Sequence, residues 1–252
     1  NWEATRVISE GVVIKDTDDA VFAENDVTVI YEDVAGSYDT IYAVSVKNSD
    51  NTVISNNTIN ALGHTYIYGL QVNGDNFTVE KNNITVESDN YYANGIDIEG
   101  PATGNVNDNV IDVTGVESAY AVYSGMNGAA VSANYTGNQI SASAYNVFGF
   151  SLGDVISNLK DNYIDLNGNY TTGVAYRGSF INATENKIVL TSSEEGNLTV
   201  WEGFGVEAVG IKVIKGSAVL SNNTIATSGK GVSLTGNETN AYLTGNFINV
   251  DS

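Results

Sequence analysis

Residues 69–86 read GLQVNGDNFTVEKNNITV and contain three short runs, 69–72, 77–79 and 84–86, in which apolar and polar residues alternate. Turn residues at 73–75 and 82–83 separate the runs. Alternation with a period of two is typical of β-strands that bury one face. The residues predicted to fill a core are Leu70, Val72, Val79, Ile84 and Val86 and, two units further on, Val122, Val131, Ile140 and, less regularly, Tyr123.

The same unit recurs along the whole chain in two interleaved columns. An Asn-x-(Ile/Val) pattern begins at Asn25 and returns at Asn57, Asn82, Asn109, Asn138, Asn162, Asn186, Asn223 and Asn246. A Gly-or-Ala position followed by an apolar residue returns at Ala43, Gly69, Gly95, Ala121, Gly149, Gly173, Gly210 and Gly231. The Asn residues are predicted to form a stacked amide ladder at a sharp bend, where Asn tolerates left-handed backbone geometry. Gly or Ala allows the chain to turn closely at the other column.

These columns predict an all-β fold, a right-handed single-stranded parallel β-helix (β-solenoid) of about nine coils with ~24 residues each. Helical repeats are excluded because the units lack apolar stripes of helical period and are rich in Gly, Asn and β-branched residues. We expect one domain over residues 1–252, with residues 1–24 as an N-terminal cap or an irregular first coil. The start at Asn1 and the strand-like end favour a piece of a longer surface protein.

The composition narrows the function classes. The chain has 10 Lys and Arg residues and 30 Asp and Glu residues, which gives a formal net charge of −20. This charge disfavours nucleic acid and anionic membrane surfaces as partners. The chain has no Cys and one His, so a thiolate or histidine metal site is not expected. No apolar run has the roughly 18–20 residues of a membrane span, and membrane insertion by this segment is not expected.

Length variation is concentrated in the arc from each Asn to the next Gly or Ala, and such insertions in solenoids often mark a binding face. Aromatic residues lie just before the Gly/Ala column. The largest insertion holds two aromatic residues in an acidic, Gly-flanked loop. The candidate ligand-binding residues are Trp201, Phe204, Glu202, Tyr42, Tyr68, Tyr92, Tyr120 and Tyr145. Two interpretations stay open: the rings stack on one another and shield the rod, or they bind sugar faces or a partner's apolar surface.

Catalytic residues are scarce, so we expect no catalytic site and no enzyme. Polysaccharide lyases with this architecture need a strong base, and the chain has two arginines, Arg6 and Arg177. Hydrolases need facing carboxylates, whereas Asp97 and Glu99 suggest a solvated face. No cofactor is expected. A weak Ca²⁺ site is the one metal hypothesis, with candidate ligands Asp16, Asp18 and Asp19, although that loop lacks the Gly and final Glu of an EF-hand.

Nine Asn-x-Ser/Thr sequons are candidate glycosylation sites and suit an extracellular glycoprotein. They lie at Asn56, Asn76, Asn83, Asn134, Asn169, Asn182, Asn197, Asn222 and Asn237.

The repeated Asn-Asn-x-Ile motifs, Ile54-Ser55-Asn56-Asn57-Thr58-Ile59 and Leu220-Ser221-Asn222-Asn223-Thr224-Ile225, occur in an acidic chain rich in Asn, Thr and Tyr. In these features the chain resembles the adhesin-like proteins of methanogenic archaea, which have a β-helix repeat region of the pectate-lyase-like superfold. The resemblance covers essentially the whole chain. It implies a secreted, modular surface protein whose β-helix contacts other cells or glycans, and it supplies no catalytic residues.

The expected function is therefore that of a cell-surface adhesin-type module, monomeric as a domain. It would bind glycan or protein on a partner cell through its Tyr-rich, variable-loop edge. One alternative is a polysaccharide lyase or hydrolase of the β-helix class. Another is a purely structural surface stalk.

Overall fold

A computed structural model describes residues 8–31, 39–125, 130–192, 208–236 and 239–251. These residues form β-strands and no helix. Each strand pairs in parallel with its counterpart one coil away, which confirms the predicted parallel β-helix. The pairing produces three ladders along the rod, which we call sheets 1, 2 and 3 in the order in which each coil visits them.

Sheet 1 contains β1 (Ile8–Lys15), β4 (Thr40–Lys47), β7 (Tyr66–Val72), β10 (Tyr92–Ile98), β13 (Ser118–Ser124) and β21 (Lys230–Leu234). Sheet 2 contains β2 (Val21–Ala23), β5 (Val53–Ser55), β8 (Phe77–Glu80), β11 (Ala102–Asn107), β14 (Val131–Thr136), β16 (Ile156–Lys160) and β22 (Asn240–Thr244). Sheet 3 contains β3 (Asp26–Ile30), β6 (Thr58–Gly63), β9 (Asn83–Ser88), β12 (Val110–Thr114), β18 (Lys187–Ser192), β20 (Thr224–Thr227) and β23 (Phe247–Val250). Long strands that continue around a corner into the next sheet are β15 (Gln139–Leu152), β17 (Tyr163–Thr184) and β19 (Val209–Ser221).

About seven turns of the solenoid are covered by a neighbouring coil on both sides. The predicted number of about nine differs slightly; it includes the first and last coils, each of which pairs with one coil among the described residues. Residues 8–30 already form a coil whose three strands pair with β4, β5 and β6. Large apolar side chains are exposed on the first and last coils of the described residues, each of which pairs with one described coil; examples are Val21 (71%) and Phe247 (66%).

The interior of the rod is a continuous column of aliphatic side chains. The predicted core residues Leu70, Val79 and Ile84 are fully buried, as are Val122 and Val131 in later coils. Tyr123 was wrongly predicted to point inward. It pairs with Asp97 in the outward-facing register of sheet 1, and its side chain is half-buried at the surface.

The asparagine ladder is present over its whole predicted length. In each step the backbone N–H and the side-chain Nδ2 of one Asn donate to Oδ1 of the Asn one coil later; at Asn109 these bonds to Asn138 measure 3.1 and 3.0 Å. The second Nδ2 hydrogen donates to a backbone carbonyl of the preceding coil, here that of Val79 at 3.0 Å. The ladder residues that share this geometry are Asn57, Asn82, Asn109, Asn138, Asn162, Asn186 and Asn223, ending at Asn246.

The prediction that the ladder Asn itself adopts the left-handed backbone conformation was wrong by one residue. The left-handed conformation belongs to the residue before each ladder Asn, for example Asn56 (φ 55°), Lys81 (φ 55°) and Asp108 (φ 54°), and to Gly137 and Gly245 in two coils. Asn is therefore selected at the ladder for its amide, which can donate and accept at once, and not for its tolerance of positive φ.

The Gly/Ala column is a position of close approach. A Cβ built on Gly95 would lie 2.6 Å from the carbonyl oxygen of Ala121 and 2.6 Å from Cγ2 of Ile111. The equivalent positions Ala43 and Ala121 carry a methyl group, so small shifts of a coil can accommodate one. We expect Gly95→Ala to lower the free energy of unfolding by about 1–2 kcal/mol through this overpacking, measured by urea denaturation. An unchanged midpoint would show that the column has no steric requirement for Gly.

Candidate binding surface

An aromatic stripe runs along the outer face of sheet 1. Its rings are in contact from coil to coil: Tyr42 and Tyr68 stack with centroids 4.7 Å apart, and Tyr120 and Phe148 stack at 4.7 Å with an interplanar angle of 8°. Tyr92 lies between the two pairs, 5.7 Å from Tyr68 and 5.1 Å from Tyr120. We call these five residues the Tyr stripe. They lie within strands and not in the turns, so the surface is a sheet face and not a loop edge.

Stacking determines which part of each ring can meet a ligand. Tyr68, Tyr92 and Tyr120 each have an aromatic neighbour on both sides along the rod. Their faces are used within the stripe, and each side chain is half-buried. The stripe therefore offers ring edges and a row of hydroxyl groups in place of the open faces on which a sugar usually stacks.

A second, polar column lies beside the Tyr stripe, and its members Ser45, Gln71, Asp97 and Tyr123 are register partners on successive strands. Asp97 on β10 is its acidic member and is only 7% exposed, so the interpretation of this residue as part of a solvated face was wrong. Glu99, two residues later, is exposed as expected. Burial, together with the like charge of Glu99, raises the pKa of Asp97 to about 7.

The neighbours of Asp97 in this column can donate hydrogen bonds, but they do not bond to it. The register places Gln71 of β7 on one side and Tyr123 of β13 on the other. Oε1 of Gln71 accepts a bond of 2.8 Å from the hydroxyl of Ser45, which leaves its Nε2 as a donor. Among the described residues, none donates a hydrogen bond to the carboxylate of Asp97.

Asp154 shows how this fold satisfies a buried carboxylate elsewhere. Its side chain is fully buried and accepts bonds from Tyr135 Oη at 2.8 Å, Ser157 Oγ at 2.7 Å and Ser124 Oγ. Desolvation raises the pKa of Asp154, and these three bonds oppose the increase. Asp97 is nearly as buried and has no such set of donors, which distinguishes a surface site from a structural network.

A second polar side chain without a partner lies on the same strand. Asn94 is fully buried, and both its Nδ2 and its Oδ1 lack a hydrogen bond. It faces Tyr68 and Tyr120 in the register, at the position where the ring of Tyr92 fills the stripe. An unpaired buried amide costs about 1–3 kcal/mol. Strand β10 therefore carries two uncompensated polar groups within four residues.

The remaining aromatic candidates form smaller contacts outside the Tyr stripe. Tyr145 on β15 makes an edge contact with Tyr170, with centroids 5.0 Å apart, and is 41% exposed. Tyr66 and Tyr91 make a similar contact at 5.1 Å. The loop candidates Trp201, Glu202 and Phe204 lie outside the described residues, so their role stays a prediction.

The three acids Asp16, Asp18 and Asp19 are not gathered around a common point. They begin a hydrogen-bonded column at the turn between sheets 1 and 2, in which Asp18 Oδ1 accepts the backbone N–H of Asp50 at 3.0 Å. Asp50 in turn accepts the N–H of Asp75 at 2.7 Å. No group of three or more His, Cys, Asp or Glu suited to a metal ion occurs within the described part of the chain. The weak Ca²⁺ hypothesis stays a prediction.

Other residues considered from the sequence are dispersed. Nδ1 of His64 lies 2.6 Å from Asp89 Oδ1, at the bend between sheet 3 and sheet 1. Arg177 is exposed on β17. The sequons Asn56, Asn76, Asn83, Asn134 and Asn222 are exposed, whereas Asn169 and Asn182 are partly buried. Asn197 and Asn237 lie outside the described residues, and glycosylation stays a prediction.

No protein-family model matches the chain, no curated protein matches it, and no solved structure matches it. Over the ranges that the structure describes, no helix has the length and apolarity needed to cross a membrane.

Proposed function

We propose that this chain is an extracellular, adhesin-type module that binds glycan on a partner cell across the outer face of sheet 1. The observation that supports the proposal is the Tyr stripe beside Asp97. Hydroxyl groups, apolar ring edges and a carboxylate that accepts no hydrogen bond from any described residue lie together on one rigid sheet. Carbohydrate ligands present both hydroxyl groups and C–H surface, so they match a site that combines polar groups with aromatic surface.

A rigid sheet suits this role because parallel strands hold the side chains at fixed spacing. Successive coils are separated by roughly 4.8 Å, close to the length of one sugar ring. A linear glycan aligned with the rod can therefore repeat similar contacts from Tyr68 to Phe148. The net charge of −20 disfavours polyanionic glycans and favours neutral ones.

The proposal is tested first on an immobilised array of neutral, acidic and amino-sugar oligosaccharides, with turnover followed in parallel. Saturable binding without turnover supports the adhesin-type function. Turnover of a polysaccharide would support the lyase or hydrolase alternative. Absence of both binding and turnover would overturn the proposal and favour a structural stalk.

The double variant Tyr68→Phe/Tyr120→Phe tests the stripe without removing its rings. We expect an affinity about 30-fold lower for the glycan selected on the array, since each of the two lost hydroxyls removes a hydrogen bond worth about 1 kcal/mol. Titration calorimetry provides the measurement.

The matched control is Tyr163→Phe, which removes an exposed hydroxyl from sheet 3, where it lies 3.4 Å from Asp165 Oδ2. The control should bind as tightly as the unchanged chain. Equal affinities for the control and the double variant would place the glycan elsewhere on the rod.

A further inference from the structure

We propose that Gln71 and Asp97 form a subsite that holds one hydroxyl group of a neutral sugar. The inference rests on the proposed function and identifies the polar group that selects the ligand. It also assigns an opposite hydrogen-bonding role to each of the two residues.

The chemistry of the pair is complementary but incomplete. Oε1 of Gln71 already accepts a hydrogen bond from the hydroxyl of Ser45, and Nε2 is the donor of this amide that has no hydrogen bond among the described residues. The carboxylate of Asp97, when ionised, can only accept. The two residues are register partners on adjacent strands, yet among the described residues neither Nε2 nor the carboxylate has a hydrogen bond. A donor and an acceptor on neighbouring strands that do not bond to each other can be bridged by a group that accepts from one and donates to the other.

A hydroxyl group is the simplest group that does both. When Asp97 is ionised, a carboxylate or sulfate of an acidic sugar can accept from Gln71, but it cannot donate to Asp97 and is repelled by Asp97 and Glu99. An ammonium group can donate to Asp97 but cannot accept from Gln71. The subsite therefore selects for hydroxyl groups, and it does so by the donor and acceptor pattern as well as by charge.

The carboxylate of Asp97 is accessible to a ligand and is also partly shielded from water. Unlike the amide of Asn94, the carboxylate oxygens of Asp97 are not among the fully buried atoms without a partner. The charged neighbour of Asp97 is Glu99 on its own strand, and the phenols around it are Tyr68, Tyr92 and Tyr123. Burial and the charge of Asp97 raise the pKa of each of these three phenols. Those phenols remain neutral, so a bound hydroxyl meets one charged acceptor in a partly desolvated setting, where such bonds are strong.

The experiment uses the whole chain on the oligosaccharide array, with Asp97→Asn and Gln71→Met. We expect hits among the neutral sugars. Each variant should weaken binding of the selected neutral oligosaccharide about tenfold. The control Asp112→Asn makes the same chemical change at an exposed position of sheet 3 in the same coil and should leave the affinity unchanged.

A pH profile separates recognition from a purely structural role. Donation from a sugar hydroxyl stabilises ionised Asp97, so affinity should increase about tenfold from pH 5 to pH 8 and should be nearly flat in Asp97→Asn. Hits confined to acidic or amino sugars would overturn the subsite, as would a flat profile in the unchanged chain. Binding that Tyr68→Phe/Tyr120→Phe weakens, but Asp97→Asn and Gln71→Met do not, would overturn the subsite and leave the proposed function standing. No binding to any glycan would overturn both.

Discussion

Replacing Asn138 by alanine should lower the free energy of unfolding by about 3–5 kcal/mol. The substitution removes the donor to Asn162 Oδ1 at 2.9 Å and to the Val106 carbonyl at 2.8 Å, and the acceptor for Asn109. The backbone N–H of Asn109, which donates to Asn138 Oδ1 at 3.1 Å, would be left without its acceptor in the interior. Each buried polar group left unpaired costs about 1–3 kcal/mol, so several losses at one site add to a large effect. Chemical denaturation gives the measurement.

Asn134 provides a matched control four residues earlier. Its side chain also takes part in a ladder, donating to Asn105 Oδ1 at 2.9 Å and accepting from Asn158 at 2.8 Å, but it is exposed. Water can replace those bonds, so Asn134→Ala should cost less than about 1 kcal/mol. Similar losses for the two variants would mean that burial of the ladder is not the source of its stabilising effect.

The second large effect concerns pH. Because the pKa of Asp97 rises from 3.8 to about 7 on folding, its ionisation opposes the folded state. The stability contributed by this group is complete below about pH 4 and decreases as pH rises to about 7, with a total loss of up to about 4 kcal/mol. Asp97→Asn should remove this dependence. The variant should be more stable than the unchanged chain at pH 8 and nearly equal to it at pH 4.

Denaturant midpoints from pH 4 to pH 8 test this expectation. Asp112→Asn has the same net charge as Asp97→Asn and controls for the general repulsion in a chain of net charge −20. Asp154 contributes a pH dependence of the same sign, because its pKa is also raised, and that part should persist in both variants. A difference between Asp97→Asn and the unchanged chain that does not vary with pH would contradict the prediction.

Asp97→Asn therefore has expected effects on both the stability of the fold and the binding of glycan. A residue kept only for structure should weaken the fold when it is changed, whereas this substitution is expected to strengthen the fold at neutral pH and to weaken glycan binding. Functional sites often retain groups that lower stability. The opposite pairing, a weaker fold with unchanged binding, would identify Asp97 as a structural residue.

The sequence was sufficient to predict the fold because the constraints that define it recur in every coil. Asn82 and Asn109 mark the same bend in successive coils, and Leu70 and Ile96 mark the same interior position, so each coil repeats the information of its neighbour. The position of the left-handed residue was missed because it varies in type, from Lys81 to Gly137, and leaves no column of its own.

The candidate site was only partly predictable, for a different physical reason. Tyr68 and Tyr120 could be named from their place before the Gly/Ala column, but the use of their faces in stacking depends on ring orientation. Asp97 was assigned to solvent because alternation identifies the outward face without showing what covers it. Aligning the outward positions Ser45, Gln71 and Asp97 coil by coil would have shown that the acidic residue lies between two uncharged register partners, Gln71 and Tyr123.

The asparagine ladder also gives the rod a direction. In all eight steps the amide donates toward the higher-numbered coil, so the side-chain dipoles add instead of cancelling. The coil of Asn25 presents an oxygen outward along the axis, and the coil of Asn246 presents an N–H. A coil added beyond Asn246 must bring an acceptor to that bend, and one added before Asn25 must bring a donor. Two such rods can therefore continue each other head to tail through this column, but not head to head.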